Sequence, residues 1–248
     1  MPLSFVLWAS DETPDLPSIV LVSVLSLKPS MPMPAGTITS LSLQANDSER
    51  INIFIDGEFA LGVSLRVAQD ERLHKGQVLS ESDWERLVQA ERGSKAWNAA
   101  LQLLAVRPRS ERELRDRLRR KEFEPDHIDA AIRRLYELEL LDDAHFAELW
   151  ISNRQKLRPK GAQALRQELR AKGIDRQTVD EVVADNIDDD DERAACEQVA
   201  RQALRRYTDA PDRMTFQRKL GGLLQRRGFR FDTIKPILEQ LWQEIRAE

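Results

Sequence analysis

Leu165-Arg166-Gln167-Glu168-Leu169-Arg170-Ala171-Lys172-Gly173-Ile174-Asp175-Arg176-Gln177-Thr178-Val179 decides the fold, because its pattern occurs twice more. The pattern is Leu-x3-Leu-x2-basic-x-apolar-x4-branched aliphatic. Leu114, Leu118, Lys121, Phe123 and Ile128 form an earlier copy, and Leu220, Leu224, Arg227, Phe229 and Ile234 a later one. After each branched residue, apolar side chains follow at helical spacing: Ala131 and Ile132, Val182 and Val183, Ile237 and Leu238. Each copy therefore predicts a short helix, a tight turn and a second helix. Gly173 and Gly228 sit where a left-handed helix C-cap is required. The intervals between copies hold further apolar-periodic stretches at 95–106, 143–156 and 192–207, which complete three tandem three-helix units.

Working outward, the preceding segment changes period. Ile51, Ile53 and Ile55 alternate with polar residues, Asp56-Gly57 follows, and Phe59, Leu61 and Val63 alternate again. Asp-Gly between alternating runs predicts a β-hairpin with a type I′ turn, and Thr37 to Gln44 can supply a third strand. Helices are expected near 65–73 and 81–92, the second opened by Ser80 with Asp83 three residues on. Glu91-Arg92-Gly93-Ser94 is the expected boundary to the repeats, whose opening helix would bury Trp97, Leu101 and Leu104. Ser110 with Glu113 predicts a reciprocal capping box, and Pro125 suits a helix first turn.

Residues 1–36 contain Pro2, Pro14, Pro17, Pro29, Pro32 and Pro34 and an apolar run, Ile19 to Leu27, too short to span a bilayer. Acidic rather than basic residues precede that run, against a signal peptide. The expectation is a disordered extension, or a mis-assigned start with Met31 or Met33 as the true one. The resulting division is 1–36 extension, 37–93 α+β module, 94–139, 140–187 and 188–248 helical repeats. The class is mainly α.

Composition points to surface contact rather than chemistry. The lone cysteine, Cys196, forms no intramolecular disulfide and is expected as a small core residue, in keeping with a reducing cytoplasm. His74, His127 and His145 are scattered, without ligand partners at metal spacing, and Gly221-Gly222 lacks the residues of a phosphate loop. No nucleophile with a base stands out, so neither catalysis, metal nor cofactor is expected. Asp188 to Asp191 are expected as a solvated helix start. The net charge of −4 conceals an asymmetry: residues 154–172 hold seven basic groups and one acid, and 201–230 hold nine and two. Arg154, Lys156, Arg158, Lys160, Arg166, Arg170 and Lys172 face only Glu168 locally, which predicts uncompensated positive charge and a polyanionic or acidic partner.

Leu104-Ala105-Val106-Arg107, then Ser110, Glu113 and Leu114, then Leu141-Asp142-Asp143 with Phe146, then Arg154, Gly161, Leu165, Glu168, Leu169 and Lys172-Gly173-Ile174 together resemble the RecX family. The likeness runs over about residues 95–245, and the hairpin segment resembles the N-terminal module of longer members. It implies an elongated, curved array of helix-turn-helix-like repeats that binds the RecA filament on single-stranded DNA, as a cytoplasmic, non-enzymatic regulator. Family members block filament growth, ATP hydrolysis, strand exchange and the co-protease activity of the SOS response. The carriers implied are Arg107, Arg109, Arg112, Arg154, Lys156, Arg158, Lys160, Arg166, Arg170 and Lys172, with Gly161 and Gly173 structural. Asp142 and Asp143 could cap a helix or pair with a basic group of the partner, the cap being preferred. A monomer suffices, no membrane is involved, and contact with double-stranded DNA is compatible. The rival expectation is a helix-turn-helix-like DNA-binding regulator acting without RecA, with phosphate-directed, salt-sensitive contacts.

Overall fold

In the computed structural model, each copy of the repeat becomes a helix, a turn and a helix. The structure describes residues 35–45 and 47–247, so the expectations for residues 1–34 lie outside it. In chain order the elements are β1 (Gly36–Gln44), β2 (Asp47–Ile55), β3 (Glu58–Ser64), α1 (Leu65–Asp70), β4 (Val78–Leu79), α2 (Glu81–Val106), α3 (Glu111–Arg120) and α4 (Pro125–Glu137). Then come α5 (Asp143–Leu157), α6 (Ala162–Ala171), α7 (Arg176–Asn186), α8 (Asp189–Leu204), α9 (Arg213–Arg226) and α10 (Phe231–Ala247). They divide into two compact units, Met1–Ala100 with Phe123–Ala131 and Leu101–Glu122 with Ile132–Glu248.

Among the described residues of the first unit, four antiparallel strands lie in the order β3-β2-β1-β4. Asp56 and Gly57 both have positive φ, 50° and 89°, as a type I′ hairpin demands. Register puts Ile51 opposite Val63 and Ile53 opposite Leu61. That pairing turns Ile38, Ile53, Ile55, Leu61 and Val63 to one face, where Val67, Trp84 and Leu87 close the core. The two-residue β4 was not expected from sequence; it pairs with the start of β1.

Sequence reasoning expected a break at 91–94, and the structure instead has one unbroken helix there. Gly93 in a helix interior costs only about 1 kcal/mol relative to alanine, whereas the turn around it is held by tertiary bonds. Glu91, 1% exposed, accepts from the Ser64 amide at 2.8 Å and pairs with Arg50 at 2.9 Å and Lys95 at 3.7 Å. A buried carboxylate left without such partners would cost several kcal/mol, so helical geometry at Glu91 is enforced from the sheet. Further along α2, Ala96 and Ala100 are fully buried while Trp97, Leu101 and Leu104 stay partly exposed, a correction to the expected face.

In the second unit, Leu114 and Leu118, Leu165 and Leu169, and Leu220 and Leu224 are all 0% exposed. Truncating any of them to alanine should cost about 2–5 kcal/mol. The last repeat encloses Cys196, Val199, Phe216, Phe229, Ile234 and Leu241, with Phe216 and Trp242 rings 5.3 Å apart. Asp188 caps α8 by accepting from the Asp191 amide, and Asp189 to Glu192 occupy its first turn, where the helix dipole favours negative charge.

Candidate partner-binding surface

The basic helices of the second unit are fastened by a contact that the chain makes twice. Ser110, the N-cap of α3, accepts from the Glu113 amide at 3.3 Å and donates its hydroxyl to the Lys172 carbonyl at 2.7 Å. At the matching place in the next repeat, Gly161, the N-cap of α6, donates its amide to the Arg227 carbonyl at 3.0 Å. The following amide is satisfied in both cases by an acid from the next repeat's first helix: Glu111 by Asp143 at 2.9 Å, Ala162 by Glu192 at 3.3 Å. The orphan amides of one helix start are thus capped by its neighbour.

Glycine makes the approach possible. A Cβ on Gly173, at φ +90°, would fall 2.4 Å from Arg112 Cβ, and one on Gly228, at φ +84°, 2.3 Å from Ala164 Cβ. Gly161 has an ordinary φ of −72°; its want of a side chain matters because a Cβ would meet the Gly228 carbonyl oxygen at 2.2 Å. The first repeat carries Glu122 at the same turn position, at φ +61°, exposed to solvent. In the third, the position matching Ser110 and Gly161 is Phe216, already inside α9 and fully buried.

The capping box expected at Ser110 is half formed. Glu113 turns away from the Ser110 amide and instead accepts from Arg107 at 2.9 Å and Lys172 at 2.6 Å. The reciprocal pair occurs at Ser80 and Asp83, where both bonds are made. Asp142 caps α5, accepting from the Ala144 and His145 amides at 2.8 and 3.0 Å.

The expected uncompensated charge of the second repeat is corrected by Glu168, which takes more than one cation, and by two acids that sequence distance hides, Asp180 and Glu113. Glu168 accepts from Trp150 Nε1 at 2.8 Å, Arg154 Nε at 2.9 Å, and Lys160. Asp180, on α7, takes Arg166 at 3.2 Å, Arg170 at 3.8 Å and Arg176 at 3.6 Å. Lys172 is held by Glu113 and stands 4.8 Å from the centroid of the Trp150 ring, with the Arg154 guanidinium at 4.3 Å. Burial alone would raise the carboxyls of Glu113 and Glu168, but hydrogen bonds from their cations hold both below the ordinary range. Asp143 goes the other way: burial raises it, aided by Glu111, Asp142 and Asp175, against the hydrogen bond from the Glu111 amide.

Of the ten basic positions named from sequence, three remain exposed without an ion pair among the described residues: Arg112, Lys156 and Arg158. Arg109 is 6% exposed, donates to the Leu103 carbonyl at 3.0 Å and has no paired carboxylate among the described residues; burial pushes its guanidinium down to about 10. The third repeat's cations, legible in the sequence only as an excess over 201–230, separate into paired and unpaired ones. Arg213 is paired with Glu239, Arg201 with Glu197 and Glu244, and Arg230 with Asp189 and Glu192. Arg205, Arg206, Arg218, Lys219 and Arg226 are exposed and have no ion pair among the described residues. The signal was the excess of basic residues at 201–230, which singled out no position.

Among the described residues no three His, Cys, Asp or Glu side chains are grouped to hold a metal. Cys196 is enclosed, and burial pushes its thiol up to about 12, away from nucleophilic use. Among the described residues no helix is long and apolar enough to cross a membrane.

Four family models match in register with these elements. They are the RecX N-terminal domain over residues 36–80 and the first, second and third RecX three-helix domains over 96–135, 142–183 and 190–238. "Regulatory protein RecX" of Listeria monocytogenes is 34% identical over 208 residues, 84% of this chain and 77% of that protein. The protein of the same name from Bacillus subtilis is 34% identical over 207 residues, 84% and 78% of the two chains. A crystal structure of regulatory protein RecX superposes with a TM-score of 0.72 at 25% identity, covering 82% of this chain and 98% of its own. The RecX structure from Lactobacillus salivarius gives 0.56 at 28% identity, covering 61% and 97%.

Proposed function

This chain belongs to the RecX family, and from that premise we propose that it is a non-enzymatic negative regulator of the RecA recombinase. It binds the RecA filament on single-stranded DNA in the cytoplasm. There it restrains filament extension, ATP hydrolysis, strand exchange and co-protease activity in DNA repair and the SOS response. The observation that carries the reading is the in-order match of all four family modules, from the hairpin to the last helix.

The geometry supports a contact mode. Arg154, Lys160, Arg166, Arg170, Arg107 and Lys172 are paired with Glu168, Asp180 and Glu113. They act as a preorganised frame rather than as loose charges. Arg112, Lys156 and Arg158, exposed and without an ion pair among the described residues, offer their charge to an acidic partner surface.

The test is DNA-dependent ATP hydrolysis by RecA on single-stranded DNA. Substoichiometric protein should slow it, and Lys156→Glu with Arg158→Glu, which leaves the Glu168 cluster intact, should weaken the effect. A rate unchanged at equimolar protein would sink the reading. Full inhibition by the double variant would keep the partner and discard the surface.

A further inference from the structure

Helix α9 contains four basic residues and no carboxylate. Arg213 is occupied by Glu239, which leaves Arg218, Lys219 and Arg226 exposed and without ion pairs among the described residues. The nearest acid on the same element is the N-cap Asp212; its oxygens accept from the Thr215 amide and hydroxyl, and Arg218 acts on it only at a distance.

Between these cations lies a glycine that the fold does not explain. Gly221 is buried, and a Cβ there would come 3.1 Å from Leu238 Cδ1, so core packing accounts for it. Gly222 is partly exposed, has no positive φ, and a Cβ there would meet nothing nearer than Arg226 Nη1 at 3.4 Å, the free end of a flexible side chain. A mid-helix glycine weakens the helix relative to alanine, and here neither a turn nor packing requires it. What it does provide is bare backbone on an outer face. Gly222 stands one turn from Arg218 on one side and from Arg226 on the other, with Lys219 alongside. The three cations span roughly 12 Å of helix, a length over which a nucleic-acid strand presents several phosphates.

We infer that this face of α9 seats the phosphodiester backbone of a nucleic acid, with the sugar-phosphate chain lying against Gly222 and Arg218, Lys219 and Arg226 neutralising its phosphates. The absence of a side chain at Gly222 sets the distance of approach, and the all-cationic helix sets the sign of the partner. The inference deepens the nucleic-acid side of the function proposed above and rests on it there. RecA is left out of the assay, so either can fail without the other.

The experiment measures binding of the full chain to fluorescein-labelled oligothymidylate by anisotropy across a salt series, together with the thermal midpoint of each protein. Replacing Arg218, Lys219 and Arg226 by Gln should flatten the slope of log affinity against log salt by about 2, at roughly 0.7 per neutralised phosphate on a single strand. Gly222→Ala should raise the thermal midpoint by about 2 °C and yet weaken binding about tenfold. A purely structural glycine would move stability down with binding, and that outcome overturns the inference. So does wild-type affinity in Gly222→Ala, or an unchanged salt slope in the triple variant. Variants of the three cations that keep wild-type DNA affinity at every salt concentration overturn it likewise.

Discussion

Gly228→Ala puts the repeated fastening to its most direct test. A methyl there would lie 2.3 Å from Ala164 Cβ, 2.4 Å from the Ala164 nitrogen and 2.8 Å from its Cα. Two of those atoms are backbone of α6, so no rotamer relieves the overlap and the helix start must withdraw by about an ångström. Forcing such overlap in a packed contact costs about 1–3 kcal/mol. The φ of +84° adds about 1–2 kcal/mol for an L-residue. The sum is about 2–5 kcal/mol. The matched control is Glu122→Gly, at the same turn position of the first repeat and at φ +61°. There glycine relieves the left-handed strain while loosening the unfolded chain, two effects of about 1 kcal/mol each with opposite sign, so the net change should be near zero. Urea unfolding followed by helical circular dichroism measures both. A loss below about 1 kcal/mol for Gly228→Ala, or an equal loss for Glu122→Gly, would refute the reasoning that glycine is placed for approach rather than for its turn alone.

Three further outcomes follow from the same contacts. Ser110→Ala removes both the cap on the Glu113 amide and the bond to the Lys172 carbonyl at a 0% exposed site, and should cost about 1–3 kcal/mol in urea unfolding. Because Glu113 and Glu168 ionise below their ordinary 4.5 in the folded chain, their stabilisation is complete above that value and lost as pH falls through the lower folded one. Asp143, raised by burial, contributes the opposite slope. The urea midpoint should therefore drop on acidification below about pH 5, and Glu113→Gln should make the drop shallower; an identical profile for that variant would count against the pairing with Lys172 and Arg107. Cys196, buried with its thiol held up to about 12, should resist iodoacetamide at pH 8 in the native protein and react once urea unfolds it.

Where the sequence was legible, it was because one face of a helix or strand must be apolar over several turns. The Leu-x3-Leu pairs, the branched residues after each turn and the Ile51-Ile53-Ile55 alternation all report burial at fixed period, and the six repeat leucines are 0% exposed. A two-residue strand such as β4 has no period to show. The long α2 was hidden for a different reason: Gly93 and Ser94 look like a break in isolation, and only the carboxylate of Glu91 reaching back to Ser64 and Arg50 reveals why none occurs. The charge balance of the second repeat failed similarly. Its cations meet Glu113 from fifty-nine residues upstream of Lys172 and Asp180 from the next helix, and local counting sees neither. Sequence marks Gly173 and Gly228 as turn formers, which they are; that they also admit a neighbouring helix start follows only from three dimensions.

The fastening has two halves, and the repeats do not share them equally. A helix start able to dock is present in the first and second repeats, at Ser110 and Gly161, and a turn able to receive one is present in the second and third, at Gly173 and Gly228. The middle repeat alone has both. The outer two are terminated by Glu122 at one turn and by the early start of α9, with Phe216 buried, at the other helix. Growth of such a chain by gene duplication is therefore directional in an unusual sense. A copy of the middle segment inserted next to itself carries every joint needed on either side, whereas a copy of either end would bring a stopper into the interior. Longer or shorter descendants of this protein should differ by whole middle units, and an engineer wishing to alter its reach along a partner has one segment to copy.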